Sequence, residues 1–549
     1  MKITSYVSFL YCLCLMLASP TVQASEVRTA IFEGKPCINP PHVVGNYPAT
    51  PFLFYIPTSG ERPIKWHAEN LPKGLKLDKE TGIIKGKVVE KGTYKVMLKA
   101  ENALGTDTQE LLINIGDELL LTPPMGWNSW DCYGAAVTEE VLLKNTDYMA
   151  EHLKKYGWEY IVCDIQWYEP TADSSHYHQF ADLCMDEYGR VIPAPNRFPS
   201  ASDGKGFGPI AEYIHNKGLK FGIHIMRGIP RQAVTQNVKI KGTEYTARQV
   251  AHPASICCWN TDMYGLDCTK PGAQEYYDSL LELYASWGVD FIKVDDICVK
   301  YGRTGDESTL AYGGDEIEML RRAIDRCGRP IVLSLSPGPA MLDKAGHLRE
   351  NANMWRITND LWDSWDNIME MFSRCNEWSP YVSEGCYPDC DMLPLGHISI
   401  IGCEHGVGDR MCRLSQDEQK TMMSLWCIFR SPLMLGAEMT DLDSWTLSLL
   451  TNEEVLKMHK DSRDAHQIER SFDLITWGAH DEEGSCYIAL FNVTNWDETF
   501  SFDFRKAGLE GYYEVRDLWE REDRGSVDKI VTKVKSHGVK LYKLSKKQV

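Results

Sequence analysis

Aspartates follow several apolar runs in the middle of the chain, where such runs alternate with amphipathic stretches. These acids are Asp164, Asp295, Asp296, Asp360, Asp389 and Asp391. Any one alone could cap a following helix, but carboxylates gathered at one rim repel and shift one another's pKa. Such a cluster, with aromatic residues and without a phosphate or metal motif, indicates hydrolysis of a glycosidic bond. That reaction needs one carboxylate as nucleophile and a second as general acid/base.

The run 291–296 indicates which acid faces the site. Because side chains alternate along a strand, Lys293 and Asp295 share one face and Val294 points to the other. A neighbouring ammonium group lowers the pKa of a carboxyl group and keeps it ionised, as a nucleophile must be. We therefore expect Asp295, rather than Asp296, to be the nucleophile.

Residues 121–436 repeat one unit, an amphipathic helix followed by a glycine and an apolar strand. The apolar runs are 124–130, 160–164, 221–224, 291–295, 331–336, 354–358, 392–395 and 432–435. A glycine after a helix and a continuously apolar strand are typical of a buried parallel sheet. Eight strands in this length predict an α/β fold, a (β/α)8 TIM barrel with its reacting groups at the strand ends. An open doubly wound sheet is the alternative, although no Gly-x-Gly-x-x-Gly turn follows the first strand.

Two β-rich regions flank the predicted barrel, which spans residues 118–450. Short alternating runs predict an N-terminal Ig-like β-sandwich at 26–116 and a C-terminal antiparallel β-sandwich at 451–549. The first region reads Leu-Pro-Lys-Gly-Leu at 71–75 and Thr-Gly-Ile-Ile at 81–84. It resembles the Ig-like module of bacterial secreted enzymes and adhesins, which implies a spacer or docking role, with sugar binding as the alternative.

The first residues have the layout of a secretory signal peptide, residues 1–24. Lys2 precedes the apolar stretch 6–17, and Val-Gln-Ala at 22–24 offers a small-residue cleavage site. The stretch is too short for a stable bilayer anchor, and no later segment is long and apolar enough to be one. We expect a secreted protein, periplasmic or extracellular, without a membrane span. A buried N-terminal helix is the alternative.

The charge of the chain excludes one class of partner. The net charge of −19, with scattered Lys and Arg, excludes a nucleic-acid partner because no basic face could neutralise phosphates.

The cysteines are predicted to have a structural role. Cys12 and Cys14 leave with the signal peptide, so 16 of the 18 cysteines remain. Export permits disulfide bonds among them, but one sequence does not give the pairing. Cys386-x3-Cys390 and the adjacent pair 257–258 fit no zinc spacing, so we predict structural thiols or disulfides.

Six motifs follow one another within the predicted barrel. They occupy residues 122–130, 218–223, 287–295, 355–360, 388–393 and 429–434. The first reads Thr-Pro-Pro-Met-Gly-Trp-Asn-Ser-Trp, and the third reads Trp-Gly-Val-Asp-Phe-Ile-Lys-Val-Asp. In this order they resemble glycoside hydrolase family 27, the α-galactosidase and α-N-acetylgalactosaminidase family. The resemblance extends over residues 118–545, which makes chance similarity implausible.

This resemblance implies a retaining double displacement that needs no metal or organic cofactor. Asp295 falls on the family's nucleophile and Asp360 on its acid/base residue. Trp130 falls on the tryptophan that packs against the sugar, and Asp164 on an acid that grips the O4/O6 side of galactose. The full predicted substrate-binding set is Trp130, Asp164, Lys293, Ser336, Arg356 and Asp391.

Three departures from the family pattern concern the choice of sugar. The family usually has Asp-Asp-x-Trp where this chain has Asp-Ile-Gln-Trp at 164–167, so one galactose-gripping acid is missing. The loop that helps decide between a 2-hydroxyl and a 2-acetamido group usually reads Cys-Glu-Trp or Cys-Ser-Trp, and here reads Leu-Ser-Pro at 335–337. Ile297 replaces a cysteine two residues after the nucleophile, and Cys298 stands one place later, which puts one familiar disulfide in doubt.

The sequence favours an exo-acting α-galactosidase that acts on terminal α-linked galactose of oligo- or polysaccharides. A second interpretation is a β-L-arabinopyranosidase, because arabinopyranose is galactose without its C6 group, or an α-N-acetylgalactosaminidase. A different class is a non-catalytic glycan-binding protein, but such a barrel has no need to keep both Asp295 and Asp360. We expect the α-galactoside to be the best substrate, with measurable β-L-arabinopyranosidase activity and weak or no α-N-acetylgalactosaminidase activity.

Overall fold

The computed structural model describes residues 34–300, 311–402, 404 and 407–546. The predicted signal peptide lies outside these residues. No helix among the described residues has the length and apolar character needed to cross a membrane. An N-terminal β-sandwich, a central barrel and a C-terminal β-sandwich follow one another along the chain, which confirms the predicted fold class.

The N-terminal sandwich consists of a four-stranded sheet ordered β2-β9-β8-β5, a three-stranded sheet ordered β3-β7-β6 and the short pair β1-β4. Side chains of the long hairpin β8-β9 alternate between solvent and a core built around Trp66, Ile84, Val96 and Ile113. This alternation is what a sheet with one buried face requires. The strands are β1 Cys37–Ile38, β2 Val43–Asn46, β3 Phe52–Tyr55, β4 Thr58–Ser59, β5 Lys65–Glu69, β6 Leu75–Asp78, β7 Ile83–Gly86, β8 Gly92–Asn102 and β9 Gly105–Ile115.

The barrel consists of eight parallel strands in the order β19-β18-β17-β16-β12-β11-β10-β22. A single parallel bridge between Leu393 and Leu435 joins the two ends of this sheet. The barrel strands are β10 Met125–Asn128, β11 Tyr160–Cys163, β12 Lys220–Met226, β16 Phe291–Asp295, β17 Val332–Leu335, β18 Met354–Arg356, β19 Tyr387–Asp389 and β22 Leu433–Leu435. Two insertions at the strand ends add β13 Ile229–Pro230, β14 Ala251–Ile256, β15 Met263–Leu266, β20 His397–Ile398 and β21 Arg410–Met411.

Helices follow the barrel strands on the outside, and the predicted glycine stops lie between helix and strand. Gly157, Gly218, Gly288 and Gly328 all have a positive φ, between 74° and 93°, as a helix-terminating glycine requires. The helices are α1 Trp130–Tyr133, α2 Glu139–Tyr148, α3 Gly208–Asn216, α4 Arg231–Gln236, α5 Ala247–Val250, α6 Ala273–Trp287, α7 Gly314–Arg326, α8 Ala345–Asn351, α9 Trp365–Trp378, α10 Gln416–Phe429, α11 Ser444–Leu450 and α12 Glu453–Asp461.

The seventh barrel strand lies earlier in the chain than the sequence predicts. The apolar run 392–395 indicated a strand there, but the ladder is formed by Tyr387–Asp389, which pairs with Met354–Arg356. The prediction was wrong because this strand is only three residues long and contains a proline and an aspartate, so it lacks an apolar run. Residues 392–395 follow it, and Leu393 makes the bridge that closes the barrel.

The C-terminal sandwich packs its six-stranded sheet, ordered β23-β24-β25-β30-β27-β28, against the pair β26-β29. The other face of the large sheet is continuous with the barrel core: the ring of Phe491 lies 5.0 Å from that of Phe372 in α9. The strands are β23 Arg463–Arg470, β24 Leu474–His480, β25 Cys486–Asn492, β26 Glu498–Asp503, β27 Tyr513–Asp517, β28 Glu522–Val527, β29 Lys529–Val534 and β30 Val539–Lys546.

The N-terminal sandwich covers the amino-terminal face of the barrel. Tyr47 packs against a cluster that contains Tyr160, Phe291 and Val332, which are the first residues of three barrel strands. On the same side, the amide of Asn39 donates a hydrogen bond to the backbone carbonyl of Lys155 at 2.8 Å. The opposite, carboxyl-terminal face of the barrel is therefore left free for a site.

Candidate active site

A cavity of about 720 Å3 opens at the carboxyl ends of the barrel strands. Asp296 and Asp389 share strand ends with site residues but do not line it. Asp296 turns away because its carboxylate pairs with the guanidinium of Arg227 at 2.8 Å. The structure brings all eight predicted site residues together in the cavity wall, namely Trp130, Asp164, Lys293, Asp295, Ser336, Arg356, Asp360 and Asp391.

Asp295 is the last residue of β16. Its Oδ2 accepts a hydrogen bond from Nε2 of the buried His224 at 3.1 Å, and its Oδ1 accepts one from its neighbour's backbone N–H. Burial raises the pKa of Asp295, but the hydrogen bond and charge of His224, with the charge of Lys293, outweigh burial and lower this pKa to about 2. Asp295 is therefore ionised at neutral pH, as attack on an anomeric carbon requires.

Lys293 lies two residues before Asp295 and on the same face of the strand, as predicted. Its Nζ donates to Oδ2 of Asp164 at 2.9 Å, and the same oxygen accepts a hydrogen bond from the amide of Asn128 at 2.7 Å. Burial raises the pKa of Asp164, but Lys293 and the hydrogen bonds lower it below its ordinary value. An anion and a cation thus lie side by side at one wall of the cavity. Their charged groups can accept hydrogen bonds from sugar hydroxyl groups and donate hydrogen bonds to them.

Asp360 lies in the loop after β18, and its side chain is 68% exposed. The guanidinium of Arg356 pairs with both Asp360 at 3.2 Å and the buried Asp391 at 2.7 Å. Burial raises the pKa of Asp391, while Arg356 opposes that change. Arg356 thus links an exposed carboxyl group to a buried one in the same cavity wall.

The two departures in sugar-contacting loops both face the cavity. Ser336 is buried in the wall, and its Oγ has no hydrogen-bond partner among the described residues. Ile165 follows Asp164 in the wall and is 1% exposed. Gln166 does not line the cavity, because its amide donates to Oδ2 of Asp262 at 2.6 Å.

Four further residues of the site were missed by the sequence analysis. His224 ends the apolar run 221–224, so a polar side chain within a predicted barrel strand was the available signal. Asp131 is buried in the cavity wall, and its Oδ2 has no hydrogen-bond partner among the described residues. Tyr177 and Trp259 come from long loops without periodicity, which gave no signal.

The cysteines of the described chain are all free thiols. The closest approach that the structure records is between Sγ of Cys375 and Sγ of Cys390, 3.5 Å apart and unbonded. Burial raises the pKa of the Cys298 thiol to about 12. The expected disulfides thus find no support in this part of the chain and stay a prediction. Within the same residues, no group of His, Cys, Asp and Glu is arranged to hold a metal ion.

Family models match most of the chain. The model described as alpha galactosidase A matches residues 122–267 and 240–461. The model for the alpha-galactosidase C-terminal beta sandwich domain matches residues 471–544, and an Ig-domain model matches residues 35–116. The alpha-galactosidase of Cyamopsis tetragonoloba is 25% identical over 432 residues, which are 77% of this chain and 86% of that relative.

Two solved structures have a higher sequence identity to this chain than that relative has. The GH27 β-L-arabinopyranosidase from Geobacillus stearothermophilus is 55% identical, with a TM-score of 0.76 over 78% of this chain and 98% of that one. A crystal structure from Bacteroides fragilis is 37% identical, with a TM-score of 0.75 over 95% of this chain and 100% of that one. Taken with the family models, these matches establish that the chain belongs to glycoside hydrolase family 27 and is a glycoside hydrolase.

Proposed function

We propose that this glycoside hydrolase releases terminal β-L-arabinopyranosyl groups with retention of configuration. The observation that carries the proposal is Ile165 in the cavity wall beside Asp164. This is the position where the family usually has a second acid that grips galactose. The 55% identical Geobacillus protein is itself named a β-L-arabinopyranosidase, which supports the same choice.

Ile165 favours the smaller sugar for a physical reason. Arabinopyranose differs from galactose by the absence of C6 and its hydroxyl group. A 6-hydroxyl that faces the Ile165 side chain loses its hydrogen bonds to water and gains none, which costs about 1–3 kcal/mol. An arabinopyranoside has no hydroxyl at this place, so the apolar wall does not penalise it.

Other groups near Ile165 do not replace the missing acid. The amide of Gln166 donates its hydrogen bond to Asp262, and Gln166 does not line the cavity. The Asp164 carboxylate already accepts hydrogen bonds from Asn128, Lys293 and the backbone N–H of Ile165. With three of about four acceptor sites in use, the Asp164 carboxylate keeps about one for a sugar hydroxyl group, while the Lys293 ammonium group can only donate hydrogen bonds to hydroxyl oxygens.

The catalytic steps follow from the two acids. Asp295, held ionised, attacks the anomeric carbon while Asp360 protonates the departing oxygen, which gives a covalent glycosyl-enzyme intermediate. Asp360 then deprotonates a water molecule that releases the sugar with its original configuration. The Asp360 side chain is 68% exposed and that of Asp295 only 15%, which fits this division because the acid/base group must exchange protons with water.

An α-galactosidase is the second candidate, and one observation favours it. Asp164 and Lys293, the residues on the O4/O6 side of the ring, are both present and paired at 2.9 Å. The curated relative from Cyamopsis tetragonoloba carries the name alpha-galactosidase, although at 25% identity. On this alternative the 6-hydroxyl would bind Asp164 from the side that Ile165 leaves open.

Rates on matched substrates separate the two candidates. We expect kcat/KM for p-nitrophenyl β-L-arabinopyranoside to exceed that for p-nitrophenyl α-galactoside by about tenfold or more. We expect the lowest value for the α-N-acetylgalactosaminide. A higher kcat/KM for the α-galactoside would overturn the proposal and leave the α-galactosidase that the sequence favoured.

A substitution at Ile165 tests the stated cause of this preference. Ile165→Asp restores the acid pair that is usual in the family, so the ratio of α-galactosidase to β-L-arabinopyranosidase activity should rise by about tenfold or more. Ile165→Val is the matched control, because it keeps an apolar wall and should leave the ratio within about twofold. An unchanged ratio in Ile165→Asp would show that the preference lies elsewhere.

A further inference from the structure

A second cavity, of about 440 Å3, lies between the barrel and the C-terminal sandwich. One wall is the segment 379–384, which leads from α9 towards β19, and another is the start of β23, residues 463–466. Arg430, which follows α10 and precedes β22, also lines it. Segments that lead into barrel strands lie at the amino-terminal face, and this cavity shares no lining residue with the active site. It is therefore a separate site, remote from the catalytic acids.

Arg430 is a buried cation that lacks an acidic partner. Only 5% of the residue is exposed, and no carboxylate of the described chain forms an ion pair with its guanidinium. Its Nη2 donates to the backbone carbonyl of Lys460 at 3.1 Å, and its Nε has no hydrogen-bond partner among the described residues. The guanidinium also lies over the ring of Tyr387, 5.9 Å from the centroid. Burial lowers the pKa of Arg430, as expected for a charge that is poorly compensated.

Other buried arginines of this protein are better compensated. The guanidinium of Arg356 pairs with Asp391 at 2.7 Å, and that of Arg227 pairs with Asp296 at 2.8 Å. Arg197 has no such pair but donates to four backbone carbonyl groups. A buried guanidinium without either kind of compensation is costly, and an anion bound in the cavity would supply the counter-charge.

Arg463 provides a second guanidinium in the same cavity wall. Its Nη1 pairs with Glu384 at 2.5 Å and its Nη2 with Glu482 at 2.7 Å, while its Nε has no hydrogen-bond partner within the described residues. The two glutamates hold this side chain between the barrel and the sandwich and neutralise its charge. Arg430 therefore remains the charge that a ligand would balance.

The cavity is large enough for more than a single small ion. Its volume falls within the range of about 300–1,000 Å3 that is usual for small-molecule sites. Beside the arginines it is lined by the hydroxyl groups of Ser379 and Ser383, the carboxylate of Glu384 and the imidazole of His466. These groups can donate hydrogen bonds to hydroxyl groups and accept hydrogen bonds from them. Together with one uncompensated cation, they suit a ligand that carries several hydroxyl groups and one negative charge.

We propose that this cavity binds an acidic sugar, a uronic acid, whose carboxylate pairs with Arg430 and whose hydroxyl groups bind the serines and Glu384. Charge-assisted hydrogen bonds between a guanidinium and a carboxylate are among the strong ones, so Arg430 would supply most of the affinity. The site goes beyond the hydrolysis proposed above and does not depend on it. It would let the enzyme hold an acidic polysaccharide at a place remote from the active site.

Calorimetric titration of the whole protein with D-glucuronate tests this site. Glucose has the ring without the charge, and acetate has the charge without the ring. We expect both to bind about tenfold more weakly than glucuronate, or worse. Arg430→Gln should lower the affinity for glucuronate about tenfold or more, because it removes the cation. Arg430→Lys keeps the positive charge and should lose less.

Two further variants make the location of the ligand clear. Ala465→Trp fills the cavity while Arg430 stays in place, so it should also abolish binding, and it serves as the test if Arg430→Gln fails to fold. Trp130→Ala alters the active site and should leave the affinity for glucuronate within about twofold. Absence of binding by the wild type, equal binding of acetate or glucose, or unchanged affinity in Arg430→Gln and Ala465→Trp would overturn the proposal. A loss confined to Trp130→Ala would place the ligand in the active site and overturn it as well.

Discussion

Asp295 and Asp360 have separable tasks in the proposed double displacement. Asp295→Ala should reduce turnover of every substrate by at least about 10⁴-fold, and azide should partly restore it with inverted configuration in the product. Asp360→Ala should spare substrates with good leaving groups, such as a p-nitrophenyl glycoside, because they need little protonation. Rates with and without azide, with NMR of the product, check this. An active Asp295→Ala beside an inactive Asp296→Ala would contradict the assignment.

We expect His224 to set the acid limit of the reaction. The pKa of Asp295 is about 2 although burial alone raises it, and the hydrogen bond from His224 is the first cause of the lowering. Removing this donor in His224→Phe should raise that pKa, so that the nucleophile is protonated at a higher pH. The acid limb of the kcat/KM profile should then move upward by about one pH unit or more. His224→Gln, which can still donate, is the control, and an unmoved limb in His224→Phe would contradict the role.

Site residues could be predicted from the sequence where they lie on a strand, because the alternation of side chains along a strand determines which of them face the cavity. Lys293 and Asp295 point into the cavity as the period of two requires, and Asp296 does not. Tyr177 and Trp259 could not be found this way, because the loops that carry them have no repeating pattern. Their place depends on hydrogen bonds to distant residues, such as Phe180 to Thr261, which local sequence does not encode.

Barrel strands were predictable as elements wherever an apolar run and a glycine stop coincided. The runs at 160–164 and 291–295 match strands of the structure to within one residue. The seventh strand was misplaced because three residues with a proline and an aspartate do not form an apolar run. A barrel strand this short is specified by its neighbours rather than by its own composition.

Close contact between β22 and α1 provides a prediction about these elements. Gly436, just after β22, lies under Asp131 in α1, and a Cβ added at Gly436 would come within 2.1 Å of the Asp131 carboxylate. Gly436→Ala should therefore displace Asp131 and the adjoining Trp130, which lowers kcat/KM about tenfold or more while the fold is kept. Gly346→Ala in α8 meets no atom within 4 Å and is the control. Kinetics and thermal melting of both variants would decide, and an unchanged kcat/KM in Gly436→Ala would contradict the contact.

Three modules form one molecule with its site and its N-terminal sandwich at opposite ends of the barrel. The sandwich itself was predictable from alternating runs, but its docking was not, because the contacts of Tyr47 join residues far apart in sequence. Its position at the amino-terminal face separates it from the catalytic acids. We therefore expect the sandwich to stabilise the barrel rather than to bind the sugar at the active site.

Gly45 lies where the sandwich meets the segment that leads into the barrel. A Cβ at this residue would lie 2.4 Å from the backbone carbonyl oxygen of Glu118 and 2.8 Å from that of Leu119, and a backbone cannot yield as a side chain can. Gly45→Leu should push the sandwich away and lower Tm by several degrees, since a strained interface loses about 1–3 kcal/mol. Gly116→Ala in the same linker has no contact closer than 3.5 Å and should melt like the wild type. Because the catalytic face is remote, kcat/KM of the folded Gly45→Leu enzyme should stay within about twofold of the wild type. A fall in kcat/KM at unchanged Tm would mean instead that the sandwich acts on the active site.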